Sequence, residues 1–171
     1  MLESLITSKT RLKLLVKFFV SANNKGHLRG LADEFNESTN AIRRELNQLT
    51  EAGFLHRDQE QNKVVYHANE SHALFSPLKN LIHSYLGLDQ IVDQLLDRVG
   101  DVYEIILIGD YAEGVDSGQI EVCINGADNL DEDYIQQLTL KVGHIIEKKI
   151  KVYVNQQIDV ENAVYLYKSI N

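Results

Sequence analysis

Two amphipathic segments separated by three polar residues constrain this chain more than any other feature. Leu28, Leu31, Ala32 and Phe35 recur at helical spacing, the tight turn Asn36–Ser38 follows, and Ile42, Leu46 and Leu49 take up the same spacing again. Ser38 is a good N-cap for a helix from Thr39 to Ala52, and Gly53 stands where a left-handed C-terminal residue belongs. Phe54–Asp58 and Lys63–Ala68 then read as short strands joined by the polar tip Gln59–Asn62, a hairpin.

An earlier helix, capped by Ser8 and running to about Ala22, completes the N-terminal part. Its stripe is Leu12, Leu15, Val16 and Phe19, but Leu14 and Phe18 fall outside it. A helix this apolar needs cover on two sides, and a dimer partner or the second domain is expected to supply the second. The order is helix, helix, turn, helix, two-stranded wing, with the helix before the turn at about His27–Phe35.

The helix after the turn carries Thr39, Asn40, Arg43, Arg44 and Asn47 opposite its apolar stripe. Arginine can grip guanine with two hydrogen bonds and asparagine can do the same for adenine, so this face suits the major groove of DNA. Ser38 and the free amides at the helix start can hold a phosphate, and Arg29, Arg57 and Lys63 are placed to clamp the backbone. Residues 8–72 resemble the winged helix-turn-helix of the ArsR and MarR type, on the Ser-capped helix ending in "EAGFL" before a wing. That resemblance implies a homodimer on palindromic double-stranded DNA. No Cys/His cluster supports metal sensing; His56, His67 and His72 read as scattered surface histidines, and no metal site is expected.

Ser76-Pro77 reads as a helix start, with serine at the N-cap and the only proline of the chain at the first helical position. Gly87 ends that helix, and Asp89 caps another that ends at Gly100. These make a helical connector, 73–100, between the domain 1–72 and a third region, 101–171. In that last region Val102–Ile108, Gln119–Ile124 and Ile150–Val154 read as strands, Asp131–Lys148 as a helix and Asp159–Ser169 as a final short helix. Cys123 lies in an apolar run and is expected to be a small core residue.

Residues 105–124, "IILIGDYAEGVDSGQIEVCI", resemble the minimal nucleotidyltransferase core. In that family a strand ends in Gly-Ser, a second glycine follows in the turn, and the next strand carries Asp-x-Asp, whose two acids share one face and hold Mg²⁺. Gly109 and Gly114 keep the glycines. Asp110 replaces the serine, Gln119 the first acid and Glu121 the second, while the strand "IKVYV" has no third acid. The resemblance therefore implies a degenerate domain with no catalytic residues and no cofactor. The tandem of the two regions, with "MLESLITSKTRLKLL" and "STNAIR", resembles ArsR-like regulators of the Bacteroidetes group.

Charge divides along the same line. Residues 1–72 hold ten Lys/Arg and nine Asp/Glu, a net +1, and residues 73–171 hold seven and sixteen, a net −9, which together give the −8 of the chain. DNA contact belongs to the first part, and the second must face away from phosphate. With no membrane span and no signal-peptide core, a cytoplasmic location is expected. The expected fold is α+β: an N-terminal winged helix-turn-helix, a helical connector and a C-terminal nucleotidyltransferase-like α/β domain with a small mixed sheet. The expected function is that of a dimeric, sequence-specific DNA-binding transcriptional regulator that is not an enzyme, with an unidentified small-molecule or protein effector. A nucleotidyltransferase or toxin–antitoxin component, or a ligand-sensing scaffold in which Asp110, Glu113 and Asp116 form an acidic rim, are the alternatives.

Overall fold

The computed structural model describes residues 2–158 and 162–170. The chain is α+β, with helices and two small sheets, and divides into two compact units, Met1–Ile82 and His83–Asn171. The division falls inside a helix, Phe75–Leu86.

In the first unit a short helix α1 (Leu2–Leu5), not anticipated from the sequence, precedes α2 (Lys9–Phe19). Ser8 caps α2, its Oγ accepting from the Arg11 amide at 3.2 Å. Leu14 and Phe18, outside the expected stripe, are fully buried within the single chain, as are Phe19 and Val20. No partner chain is required to cover them, which corrects one ground for expecting a dimer. Burying a side chain of that size contributes about 1.5–3 kcal/mol, so these residues anchor α2 in the core of the first unit.

Strand β1 (Lys25–His27) leads directly into α3 (Leu28–Phe35), where a turn alone was expected. His27 is the N-cap: the Gly30 amide donates to its Nδ1 at 2.9 Å. Asn36 takes the left-handed conformation that ends α3, and the Glu37 amide returns to the Ala32 carbonyl at 3.0 Å. Ser38 caps α4 (Thr39–Glu51), accepting from the Ala41 amide at 3.1 Å. Strands β2 (Leu55–Glu60) and β3 (Lys63–Ala68) pair antiparallel through a two-residue turn, Gln61-Asn62, and β1 adds to β3, giving a three-stranded sheet instead of a bare hairpin.

Helix α5 (Phe75–Leu86) begins one residue before Ser76, not at Pro77. Pro77 sits in the first turn, where backbone N–H groups have no partner inside the helix, so its missing donor costs nothing there. Asp89 does not cap the next helix. Helix α6 (Leu88–Arg98) follows directly from Gly87, whose left-handed backbone (φ 80°) makes the corner, and Asp89 accepts from the Ser84 hydroxyl. A side chain at residue 87 would come within 2.7 Å of Ile146.

The second unit is built on a four-stranded mixed sheet in the order β6-β5-β4-β7. Strands β4 (Val102–Ile108) and β5 (Gln119–Gly126) are antiparallel, β5 and β6 (Lys149–Val154) parallel, with α8 (Glu132–Ile146) as the crossover. Asp131 caps α8, accepting from the Tyr134 amide at 2.9 Å. Ile105, Leu107, Ile120, Val122 and Ile124 are buried between strands and helices, and Cys123 is a buried core residue whose thiol pKa is raised by desolvation. The final helix expected at Asp159–Ser169 is not formed. Val164–Lys168 is strand β7, antiparallel to β4, and Asp159–Glu161 lie outside the described residues. The β-branched and aromatic residues of VYLYK suit a strand, and the unpaired edge of β4 supplies the ladder that a lone short segment lacks.

Candidate functional site

The outward side of α4 assembles the sequence-predicted residues. Thr39, Asn40, Arg43, Arg44 and Asn47 are all exposed, while Ile42, Leu46 and Leu49 are buried. The helix period alone accounts for this division. Arg29 is exposed on α3 and Ser38 is exposed at the α4 cap. Neither Arg29 nor Arg43 has an ion-pair partner among the described residues; Arg44 reaches only a long contact, 3.7 Å, to Glu45.

Sequence reasoning missed what lies beneath this face. Glu45 belongs to the buried stripe of α4 and is 3% exposed. Arg11 Nε lies 2.8 Å from Glu45 Oε2, and the Ser8 hydroxyl donates to Oε1 at 2.8 Å. Arg11 also donates to the Gln48 side chain. Two further lysines of α2 repeat the arrangement: Lys13 pairs with Glu37 at 3.1 Å and donates to the Phe35 carbonyl at 3.0 Å, and Lys17 pairs with Glu34 at 3.0 Å. Three acids of residues 34–45 are thus matched by cations of α2, and the arginines of α3 and α4 are left to solvent. The available signal was Glu45 itself, a carboxylate on an apolar stripe, since a buried charge needs a partner.

The wing separates the two cations assigned to it. Strand register places Arg57 opposite Tyr66 and Lys63 opposite Glu60, so Arg57 shares the face of Leu55 and Tyr66, and Lys63 lies on the other. That other face also carries Asp58 and Glu60, with Lys25 bound to Glu60 at 2.8 Å and His67 to Asp58 at 2.8 Å. Arg57 and Lys63 therefore lie on opposite faces of the hairpin, and the Arg57 face is the one without acids. His56 and His67 face each other across the hairpin with ring centroids 5.7 Å apart, and His72 packs on Phe54. Among the described residues no group of three or more His, Cys, Asp or Glu is arranged to hold a metal.

The motif positions singled out in the second unit are also brought together. Gly109 opens the short helix α7 (Gly109–Ala112) in a left-handed conformation (φ 66°), and a Cβ there would meet Glu121 Oε2 at 2.8 Å. Glycine is needed on both counts. Asp110 is exposed beside it, and Gly114 is buried as the turn closes. Gln119 and Glu121 point to one face of β5, where the Gln119 amide donates to Glu121 Oε1 at 3.1 Å. Lys151 of β6 stands in register with Glu121, its Nζ 3.8 Å from Oε1 and 4.7 Å from the Tyr153 ring centroid. These residues do not fit a divalent cation: one carboxylate, an amide that already donates to it and an ammonium do not make an oxygen cage.

The acidic rim expected from Asp110, Glu113 and Asp116 is not a cluster of free acids. Asp116 accepts from the Tyr111 hydroxyl and binds Lys148 at 2.8 Å. Tyr111 is fully buried, the Gly118 amide donates to its oxygen at 3.1 Å, and burial followed by the Asp116 carboxylate pushes its pKa well above the ordinary phenol value. The phenol is thus a fixed donor that closes the loop 109–118 on itself, and the Asp116–Lys148 pair ties that loop to the turn before β6.

No protein-family model and no curated protein matches the chain. Solved structures give distant likenesses. A mutant of the toxin–antitoxin MntA–HpeT is 20% identical over 47% of this chain and 73% of that one, with a TM-score of 0.42. Reduced HlyU from Vibrio cholerae N16961 is 20% identical over 48% and 82%, at 0.39. The antimony-specific transcriptional repressor AntR is 18% identical over 53% and 76%, at 0.40. At these scores none of them bears on what this chain binds. No helix among the described residues is long and apolar enough to cross a membrane.

Proposed function

We propose that the chain is a sequence-specific, double-stranded-DNA-binding transcriptional regulator that works as a homodimer and answers to a small-molecule or protein effector. The observation that carries this reading is the sorting of charge around α4. Arg43, Arg44, Asn40 and Asn47 face solvent, whereas Glu45 is turned inward onto Arg11 and Ser8. A groove-reading helix needs donors outward and no free carboxylate among them. Half-site pairing calls for a second copy, and the exposed Leu74 and Leu81, with half-buried Leu78 between them, offer an apolar stripe for it on and just before α5.

In this reading the second unit does not transfer nucleotides. Support comes from Gln119, from the exposed carboxylate of Asp110 at the phosphate position, and from Lys151 beside Glu121. The toxin–antitoxin alternative would need Glu121 to hold a metal despite that lysine.

Purified protein mixed with fragments of a bacterial genome, followed by sequencing of what is retained, tests the first part. Enrichment of a palindromic sequence, lost in the Arg43→Ala/Arg44→Ala variant, is expected; retention unchanged by that variant would overturn the assignment of α4. Incubation with labelled ATP and Mg²⁺ tests the second part. No transfer is expected, and label transfer that disappears in Glu121→Ala would overturn it.

A further inference from the structure

Strand β6 is an edge of the second sheet, pairing only with β5 among the described residues. Its outer backbone groups form a row open to another strand. A cavity of about 450 Å³ lies beside this edge, bounded by Leu140, Gly143 and His144 of α8 and by Lys149, Ile150 and Lys151. No carboxylate lines it. Leu140 is 73% exposed, a large apolar side chain with no cover. The single acid nearby in the chain, Glu147, is the left-handed cap of α8 and is not part of the lining.

The charge of this edge reverses that of its surroundings. Residues 83–171 contain sixteen Asp/Glu and only six Lys/Arg, yet four of the six fall at Lys141, Lys148, Lys149 and Lys151. Lys148 and Lys151 have carboxylate contacts, whereas Lys149 is exposed and has no ion-pair partner among the described residues. Strand alternation places Lys149 and Lys151 on one face and Ile150 on the other, the side of Leu140.

We propose that the outer edge of β6 is a docking site for an acidic, extended segment of a partner protein, taken up as an added strand. Alternate carboxylates of that segment lie over Lys149 and Lys151, and its intervening apolar side chains rest against Ile150 and Leu140. Main-chain hydrogen bonds supply a sequence-independent part of the affinity, and the alternating pattern supplies selection. A second copy of the same strand is a poorer occupant, because pairing β6 with β6 sets lysines near lysines. The inference does not depend on DNA binding.

The test uses the full chain and a fluorescent peptide alternating glutamate and valine, with a second peptide of the same composition in which the glutamates and valines are in separate blocks. The alternating peptide is expected to bind, to slow amide exchange along Lys149–Val154, and to lose affinity about tenfold in Lys149→Glu and again in Leu140→Asp. Both positions are exposed, so neither variant threatens the fold. Equal binding of the two peptides, no change in β6 exchange, affinity unaltered in Lys149→Glu, or no binding at all would each overturn the proposal.

Discussion

Arg11 of α2 holds Glu45 of α4 from inside the fold, its Nε 2.8 Å from Oε2, with Ser8 donating to the other carboxylate oxygen. Glu45 is 3% exposed, so the pair joins the apolar stripe of Ile42, Leu46 and Leu49 in holding the inner side of α4 against the fold. Arg11→Ala leaves that carboxylate with the Ser8 hydroxyl and the long contact to Arg44. A loss of about 1–3 kcal/mol in urea unfolding is expected. Arg11→Ala/Glu45→Ala together should cost less than the sum of the single changes, a coupling that a double-mutant cycle reads directly. Additive losses would show the pair to be unimportant.

Arg43 and Arg44 are exposed and contribute nothing to the core, so replacing both with alanine should leave the melting temperature within a degree or two while abolishing specific DNA retention. Arg57→Ala is expected to weaken binding evenly across sequences and to reduce the slope of log affinity against log salt by about 1, the signature of one lost phosphate contact. Lys63→Ala, on the face that carries Asp58 and Glu60, is expected to change that slope less.

Tyr111→Phe removes one hydroxyl and leaves the Gly118 amide without its acceptor and Asp116 with Lys148 alone. The predicted destabilisation is about 1–3 kcal/mol, seen in thermal or urea unfolding. Exchange of the amides between Gly109 and Gly118 should rise most, since that loop is what the phenol fastens. A variant as stable as the parent would mean that the loop is held by its packing.

Glu104 on β4 is bound by Lys168 of β7 at 3.1 Å. The Lys168 ammonium lowers the Glu104 pKa, partly opposed by burial, with Asn125 assisting. The sign follows from linkage: a carboxyl whose folded value lies below its unfolded value contributes stability that is present above the unfolded value and lost as pH falls through the folded one. Lys168→Met is therefore expected to melt lower than the parent at neutral pH, with the gap closing on acidification below about 4.3. A gap that persists at low pH would assign the effect to the lost contact of the Lys168 ammonium over the Tyr165 ring.

Local patterns carried much of the first unit. Ser38, Asn36 and the apolar positions of α3 and α4 specify their helices with partners only a few residues away, so helical periodicity and capping chemistry were enough to place Arg43 and Arg44 on the outer side. The same was true of Asp131 and α8. Where sequence reasoning failed, the deciding partner was distant. Segment 164–168 is a strand because β4 has an edge to offer it, and β1 exists because β3 does. Neither edge is visible in a window of a few residues, where VYLYK reads as helix or strand alike.

The candidate sites divide in the same way. The identity of the motif positions Gly109, Asp110, Gln119 and Glu121, and the donor-bearing face of α4, were legible in the order of residues, because each is a matter of residue type at fixed spacing. Three pairings were decided only in three dimensions: Glu45 with Arg11, Glu121 with Lys151, and Asp116 with Tyr111 and Lys148. Charges interact across a few ångströms of space regardless of how much chain separates them. A sequence displays which charges exist, and the fold alone selects which of them meet.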